Sequence, residues 1–286
     1  DAQSNRKSRA QWVVIVENIP GMLDLKRPIT KTTKDTLSFI EQHEDLKSHL
    51  TSHKKAVTNI TKDADGFFTL QAGDESYRAK YVVLCTGTMD IQPEIQGTIK
   101  TILPYANKED VMYCIRCDGH KTVGKNCAVI GHKSVAAWIA VMLKERYDLP
   151  KLWVLTNGKA FEGSDEINGL IEKYQIEVIE DPIEEILGEA KTGMVGFKVG
   201  GKTVPAPKAF VALGSIVYNE LAKQLGAKLN ERDHLITDDK MQTSVDGFYA
   251  AGDLVAGKKK QVYTSWDMAV DAVDHVDGRI RKAKRG

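Results

Sequence analysis

Apolar residues in this chain fall into short runs separated by Gly, Asp and Asn, and the runs are of two kinds. Trp12-Val13-Val14-Ile15-Val16 is an extended apolar run that breaks at the turn sequence Ile19-Pro20-Gly21. Leu37, Ile40, Leu46 and Leu50 then recur near helical spacing through a polar stretch, which predicts an amphipathic helix over residues 30–50. Short strands are expected at residues 56–60 and 67–70, followed by a buried strand, Tyr81-Val82-Val83-Leu84-Cys85, that runs into Thr86-Gly87-Thr88. From Asn126 the pattern becomes strand, helix, strand. Cys127-Ala128-Val129-Ile130 ends in Gly131, residues 135–143 are long and Ala-rich enough for a helix, and Leu152-Trp153-Val154-Leu155 follows. Such a unit of about 30 residues is the size of a βαβ half of a nucleotide-binding fold. A helix at 167–174, a strand at 176–179, a meander near 183–204, a strand at 209–213 and a terminal helix at 265–280 complete the prediction. Strands alternating with helices imply an α/β protein with mostly parallel sheets.

Composition narrows the classes. A chain of 286 residues suggests two domains at about 150 residues each, and 42% hydrophobic residues are enough for a packed core. Forty Lys and Arg against 39 Asp and Glu leave a formal charge of +1. That balance excludes a polyanion-binding surface over the whole protein, so nucleic acid is not an expected partner. The longest apolar tract, residues 135–143, is far shorter than the roughly 18 residues a membrane helix needs, so a soluble protein with no membrane partner is expected. Four cysteines do not make a secreted disulfide scaffold; they point to a reducing, cytoplasmic setting in which a Cys pair does redox or metal chemistry. No signal peptide is read, and a start at Asp1 rather than Met leads us to expect a preceding segment.

The sharpest chemical signal is Cys114-Ile115-Arg116-Cys117-Asp118-Gly119. Two cysteines at this spacing can close a small disulfide, and a neighbouring cation such as Arg116 favours the thiolate that exchange requires. The same spacing is half of a structural zinc site, with His120 and His132 the spare nitrogen ligands nearby, and an inert pair is the third reading. Cys85 and Cys127 sit on predicted strands and are expected to be buried core thiols.

Three further segments agree with this one in order and spacing: Val16-Glu17-Asn18-Ile19-Pro20-Gly21; Leu84-Cys85-Thr86-Gly87-Thr88 with Pro93-Glu94-Ile95-Gln96-Gly97; and Gly247-Phe248-Tyr249-Ala250-Ala251-Gly252-Asp253. Together the four resemble the low-molecular-weight thioredoxin reductase family of FAD-dependent disulfide oxidoreductases, over nearly the whole chain. The resemblance implies two Rossmann-like domains: a discontinuous FAD-binding domain (residues 1–104 and 217–286) and a pyridine-nucleotide-type domain (105–216) carrying the Cys pair. It makes Cys117 the flavin-facing thiol, Cys114 the thiol that attacks the partner disulfide, and Asp118 the acid that handles protons. It assigns Asp1, Asn18, Thr86, Gly87, Gly252, Asp253, Lys260, Gln261 and Val262 to the cofactor, with no metal, and it implies a homodimer.

Two departures from the family pattern matter. The family opens with a strand, a Gly-x-Gly-x-x-Gly turn and a helix that hold the FAD pyrophosphate, and none of this precedes residue 12; Asp1 falls where the ribose-binding acid belongs, so about 30 upstream residues are expected. In the middle domain Gly131-His132-Lys133-Ser134-Val135-Ala136 stands where the family reads Gly-x-Gly-x-x-Ala, so Lys133 replaces a glycine. Thr156-Asn157-Gly158-Lys159 offers one lysine and no arginine for a ribose 2′-phosphate. Lys260 also stands where the family has Arg, which Lys does not replace as a bidentate donor. The expected function is a flavoprotein that passes electrons from FAD through Cys114–Cys117 to a thioredoxin-like or small disulfide substrate. NADPH is a doubtful donor, with ferredoxin or a second flavin in its place. The alternatives are an ordinary NADPH-dependent thioredoxin reductase and, from another class, a non-catalytic nucleotide- or zinc-binding scaffold.

Overall fold

The computed structural model describes residues 8–23 and 25–286. Asp1 lies outside the described residues. The chain divides into two compact units: among the described residues the first holds 8–15, 25–89 and 216–286, and the second holds 16–23 and 90–215.

In the second unit five parallel strands lie in the order Val111–Met112, Lys208–Val211, Cys127–Ile130, Leu152–Leu155 and Glu177–Ile179. Every residue of Cys127–Ile130 and Leu152–Leu155 is buried, because both faces of the sheet are covered; that is why these strands read as unbroken apolar runs. Successive side chains point to opposite faces. Cys127 and Val129 pack with Ala136, Ala137, Ala140 and Leu143 of the helix Ser134–Tyr147, while Ala128 and Ile130 pack with Phe197 and Val199. The latter two belong to an antiparallel meander, Ile183–Glu189, Gly193–Val199 and Lys202–Val204, where a meander was expected. Ser164 caps the next helix, Asp165–Lys173, its hydroxyl accepting the Ile167 N–H at 3.4 Å.

The first unit combines an antiparallel sheet, Asn59–Lys62, Phe68–Ala72 and Glu75–Ala79, with a parallel pair, Val82–Leu84 and Phe248–Ala250. Phe68, Phe248 and Tyr249 are fully buried in its core, and each such ring contributes about 2–3 kcal/mol of hydrophobic stabilisation. Met268 and Ala272 of the long C-terminal helix, Val262–Lys284, pack on the same core.

Four local readings are corrected. The extended run at 12–16 begins as a helical turn, Arg9–Trp12, with no regular strand after it. The single helix over 30–50 is two, Pro28–Glu41 and Glu44–Lys47, because His43 is extended (φ −118°) between them. The strand Glu75–Ala79 was not expected; its alternation is hidden by charged residues on a mostly exposed edge. Cys127 is buried as expected, but Cys85 is exposed, since its strand ends at Leu84 and the chain leaves the sheet before reaching it.

Candidate active site

Cys114 ends an extended segment just after the edge strand Val111–Met112 and serves as the N-cap of a one-turn helix, Ile115–Asp118. Its carbonyl accepts the Cys117 and Asp118 N–H groups at 3.1 and 2.9 Å, and its Sγ accepts Cys117 N–H at 3.2 Å. The turn brings the two Cα atoms to 5.3 Å, and the cysteines are joined as a disulfide. The pair is thus closed on itself, as a redox disulfide requires, and not open to a metal. Gly119 continues into a 3₁₀ turn, Gly119–Thr122.

Around the pair sits a set of charges of which sequence reasoning singled out only Asp118 and His120. Lys121 reaches Glu109 at 2.5 Å, Glu17 at 3.0 Å and Asp118 at 3.2 Å, and His120 lies 3.2 Å from Glu17. Burial pushes the Asp118 carboxyl above its ordinary value; the Lys121 charge opposes this, while Glu109 and Glu17 add to it. Glu17 is held below its ordinary value, first by its hydrogen bond from Lys121. Burial works against the Lys121 ammonium, yet its hydrogen bonds to Glu109 and Glu17 and the Asp118 charge raise it above the usual lysine value. Asn18, on the same segment as Glu17, donates its amide N–H to Cys117 Sγ at 3.8 Å. Asn18 is therefore placed beside the disulfide, in the second unit, whereas the other described cofactor candidates lie in the first.

In the first unit, the strands Val82–Leu84 and Phe248–Ala250 pair in parallel, and the Ala251 N–H donates to the Leu84 carbonyl at 3.1 Å. Thr86-Gly87 and Gly252-Asp253 thus emerge side by side at the carboxyl ends of adjacent parallel strands, the end at which α/β sheets bind ligands. Gly87 (φ +72°) and Gly252 (φ +95°) hold backbone conformations that disfavour a side chain, and no atom comes within 3.7 Å of where a Cβ would stand at either. These bare turns fit a cofactor lying along the backbone. Thr86 donates its hydroxyl to the Tyr218 carbonyl at 2.5 Å, which fixes the crossover. Asp253 pairs with Arg9 at 3.0 Å. Lys260 donates to the Val255 carbonyl at 2.5 Å and is depressed to about 8, first by burial and then by the Arg9 charge, against the pull of Asp253. Gln261 is buried and immediately precedes Val262, the first residue of the C-terminal helix. Arg9 is the residue here that sequence reasoning missed; only tertiary placement brings it to Asp253, 244 positions away.

The turn before the helix Ser134–Tyr147 in the second unit fits a dinucleotide less well. A Cβ on Gly131 would stand 2.8 Å from the Ala212 carbonyl oxygen and 2.9 Å from Ala136 Cβ, so this glycine serves helix–strand packing. Lys133 is the helix N-cap and exposed. Ser134 at the first helical position donates to the Glu162 carbonyl at 3.0 Å and accepts the Ser164 N–H at 3.1 Å. After the next strand, Thr156 bonds the Lys159 and Glu180 carbonyls, and Asn157 bonds the Glu94 carbonyl and the Ile183 N–H at 2.8 and 2.9 Å. The polar side chains where a ribose phosphate would be read are thus spent on the protein itself, apart from Lys159.

The sequence profile of the family described as pyridine nucleotide-disulphide oxidoreductase matches residues 6–272. An alkyl hydroperoxide reductase protein of Xanthomonas campestris pv. phaseoli is 27% identical over 254 residues, which is 83% of this chain and 46% of that protein. The thioredoxin reductase of Listeria innocua serovar 6a is 24% identical over 217 residues, 71% of this chain and 63% of that protein. The chain therefore spans about half to two thirds of the length of these relatives. A solved thioredoxin reductase from Bacillus anthracis shares the fold with a TM-score of 0.80 at 20% identity, covering 98% of this chain and 89% of that one.

Proposed function

The chain belongs to the pyridine nucleotide-disulphide oxidoreductase family, and from that premise we propose that it is a thioredoxin-reductase-like, FAD-dependent disulfide oxidoreductase acting on a thioredoxin-like protein or a small disulfide. The observation that carries this reading is the closed Cys114–Cys117 pair with a half-buried carboxyl, Asp118, on the very next residue. In this scheme both units are Rossmann-like domains. The first binds FAD through Thr86, Gly87, Gly252, Asp253, Lys260, Gln261 and Val262. Asn18, assigned to the cofactor by the same resemblance, lies on the segment that touches Cys117. When bound, the flavin supplies two electrons at a time. The rest is thiol chemistry of the chain's own residues. The Cys114 thiolate attacks the partner disulfide, forming a mixed disulfide and releasing one partner thiolate. Cys117 then attacks Cys114 Sγ, re-forming the internal bond and releasing the second thiolate. Two thiols are oxidised, one partner disulfide is reduced, and Asp118 handles the protons that the leaving thiolates take up.

The electron donor in this reading is ferredoxin or a second flavin, not NADPH. Lys133 at the turn and the protein-bound side chains of Thr156 and Asn157 support it. The protein works as a homodimer in a cytoplasmic setting, and among the described residues no helix is long and apolar enough to cross a membrane.

Trapping tests the thiol roles. Cys117→Ser leaves Cys114 able to attack but unable to be released, so a stable mixed disulfide with a thioredoxin-like substrate accumulates; Cys114→Ser gives none. Full disulfide reductase activity in both variants would refute the mechanism, and a colourless protein holding stoichiometric zinc at the pair would favour the scaffold reading.

A further inference from the structure

We propose that Lys121 is a positioning residue of the disulfide centre: its ammonium, anchored by Glu109 and Glu17, holds in place the carboxyl of Asp118, the residue that follows Cys117, so that it can give and take a proton. This rests on the reading of Cys114–Cys117 as the redox pair. An ammonium has three N–H donors, and here three carboxylates lie within 3.2 Å of it, from three separate stretches of chain. Glu17 comes from the segment that carries Asn18 to Cys117, Glu109 precedes the strand Val111–Met112, and Asp118 ends the Cys-x-x-Cys turn. With its donors matched to three acceptors, the side chain is fixed, and it is only 14% exposed. The other charged groups of this neighbourhood are His120, against Glu17, Arg116 on the same short helix, and Lys208, which donates to the Glu109 carbonyl and to Asp110.

Without Lys121, three carboxylates would share one half-buried space, and like charges at that range keep one another protonated. With it, Asp118 can pass its proton to a departing partner thiolate and remain behind as a carboxylate stabilised by the ammonium, until solvent returns the proton. The Glu17 contact has a second effect: it ties down the segment whose Asn18 donates to Cys117 Sγ.

The test uses the full chain, reduced with dithiothreitol and freed of excess reagent, so that no flavin step enters. The initial rate with a small alkyl disulfide, oxidised glutathione, is followed from about pH 5 to 9, and the part of the profile absent in Asp118→Asn is assigned to Asp118. In Lys121→Met its midpoint moves up by about one pH unit, and Lys121→Arg restores it. In Glu109→Gln it moves down, because a repelling charge is gone while the cation stays. An unmoved midpoint in a folded Lys121→Met protein, or failure of a folded Lys121→Arg protein to restore it, overturns the proposal. Should Lys121→Met fail to fold, Glu109→Gln decides: a downward shift supports the proposal, and an unmoved or upward midpoint overturns it. Failure of the underlying redox reading looks different, since the wild-type protein would then yield no thiols that exchange with the disulfide at any pH.

Discussion

Gly119 completes the Cys-x-x-Cys-Asp-Gly sequence, and packing against Tyr147, not backbone conformation, is what a side chain there would disturb. Its φ of −55° suits any residue, but a Cβ would stand 2.9 Å from both Cε2 and Oη of Tyr147 and 3.3 Å from Ile115 Cγ1. Gly119→Ala therefore destabilises the protein by about 1–3 kcal/mol in urea unfolding. In a Tyr147→Ala background the same change costs much less, which a double-mutant cycle resolves. Lys260 gives a pH-dependent counterpart. Its value of about 8 lies below the 10.5 of an unperturbed lysine, so the folded apoprotein sheds this proton before the unfolded chain does. Stability then rises with pH between those two values, by on the order of 1 kcal/mol after allowance for partial exposure. Lys260→Met flattens that rise; an unchanged slope in apoprotein melts would remove Lys260 as its source. Neither effect was legible in the sequence. The Gly and the Lys were visible, but Tyr147 lies 28 positions from Gly119 and Arg9 lies 251 from Lys260, and only folding makes them neighbours.

At the scale of elements, what could be read was whatever burial writes into a pattern. The parallel strands Cys127–Ile130 and Leu152–Leu155 were legible because both faces are covered, and the helix between them because its alanines pack close to the sheet. Glu75–Ala79 was not, because an exposed edge strand imposes almost no hydrophobic pattern. The Cys-x-x-Cys pair was legible because its chemistry is local in sequence, whereas the Lys121 cluster joins Glu17, Glu109 and Asp118 across about a hundred residues. The C-terminal helix Val262–Lys284 carries an unclaimed pattern. Tyr263, Trp266, Val270 and Val273 are all exposed, at the 3-4-3 spacing that lines one helix face. The opposite face, with Met268 and Ala272, is already committed to the core. In the proposed homodimer this stripe is the natural surface for a second copy, since apolar residues in a continuous row on a solvated helix mark an interaction site. Trp266→Asp combined with Val270→Asp should then halve the molar mass measured by light scattering while leaving the thermal unfolding of the chain intact. A dimer unaffected by both changes would place the interface elsewhere.

For the molecule as a whole, the proposed route of electron entry rests on the contrast between two glycine turns. At the carboxyl ends of Val82–Leu84 and Phe248–Ala250, Gly87 and Gly252 leave the backbone bare. Before the helix Ser134–Tyr147, Gly131 is used up by contact with Ala212 and Ala136, Lys133 occupies the next glycine position of the family pattern, and Ser134 is bonded to Glu162 and Ser164. A pyrophosphate needs close backbone approach at such a turn. In the proposed reading the bulk of Lys133 outweighs its solvent-screened attraction for an anion, which is about 1 kcal/mol. The prediction is that NADPH and NADH bleach the flavin of the FAD-loaded protein slowly and only at high concentration in an anaerobic titration followed by visible absorbance, whereas reduced ferredoxin bleaches it rapidly. If the proposed acidic donor docks on Lys258 and Lys259, which are exposed beside the C-terminal helix start, its rate falls steeply with added salt. Lys133→Gly tests the steric half by itself: it should raise the NADPH rate while leaving the ferredoxin rate unchanged. Rapid bleaching of the wild-type protein by micromolar NADPH would restore an ordinary NADPH-dependent thioredoxin reductase, with Lys133 swung clear of the turn.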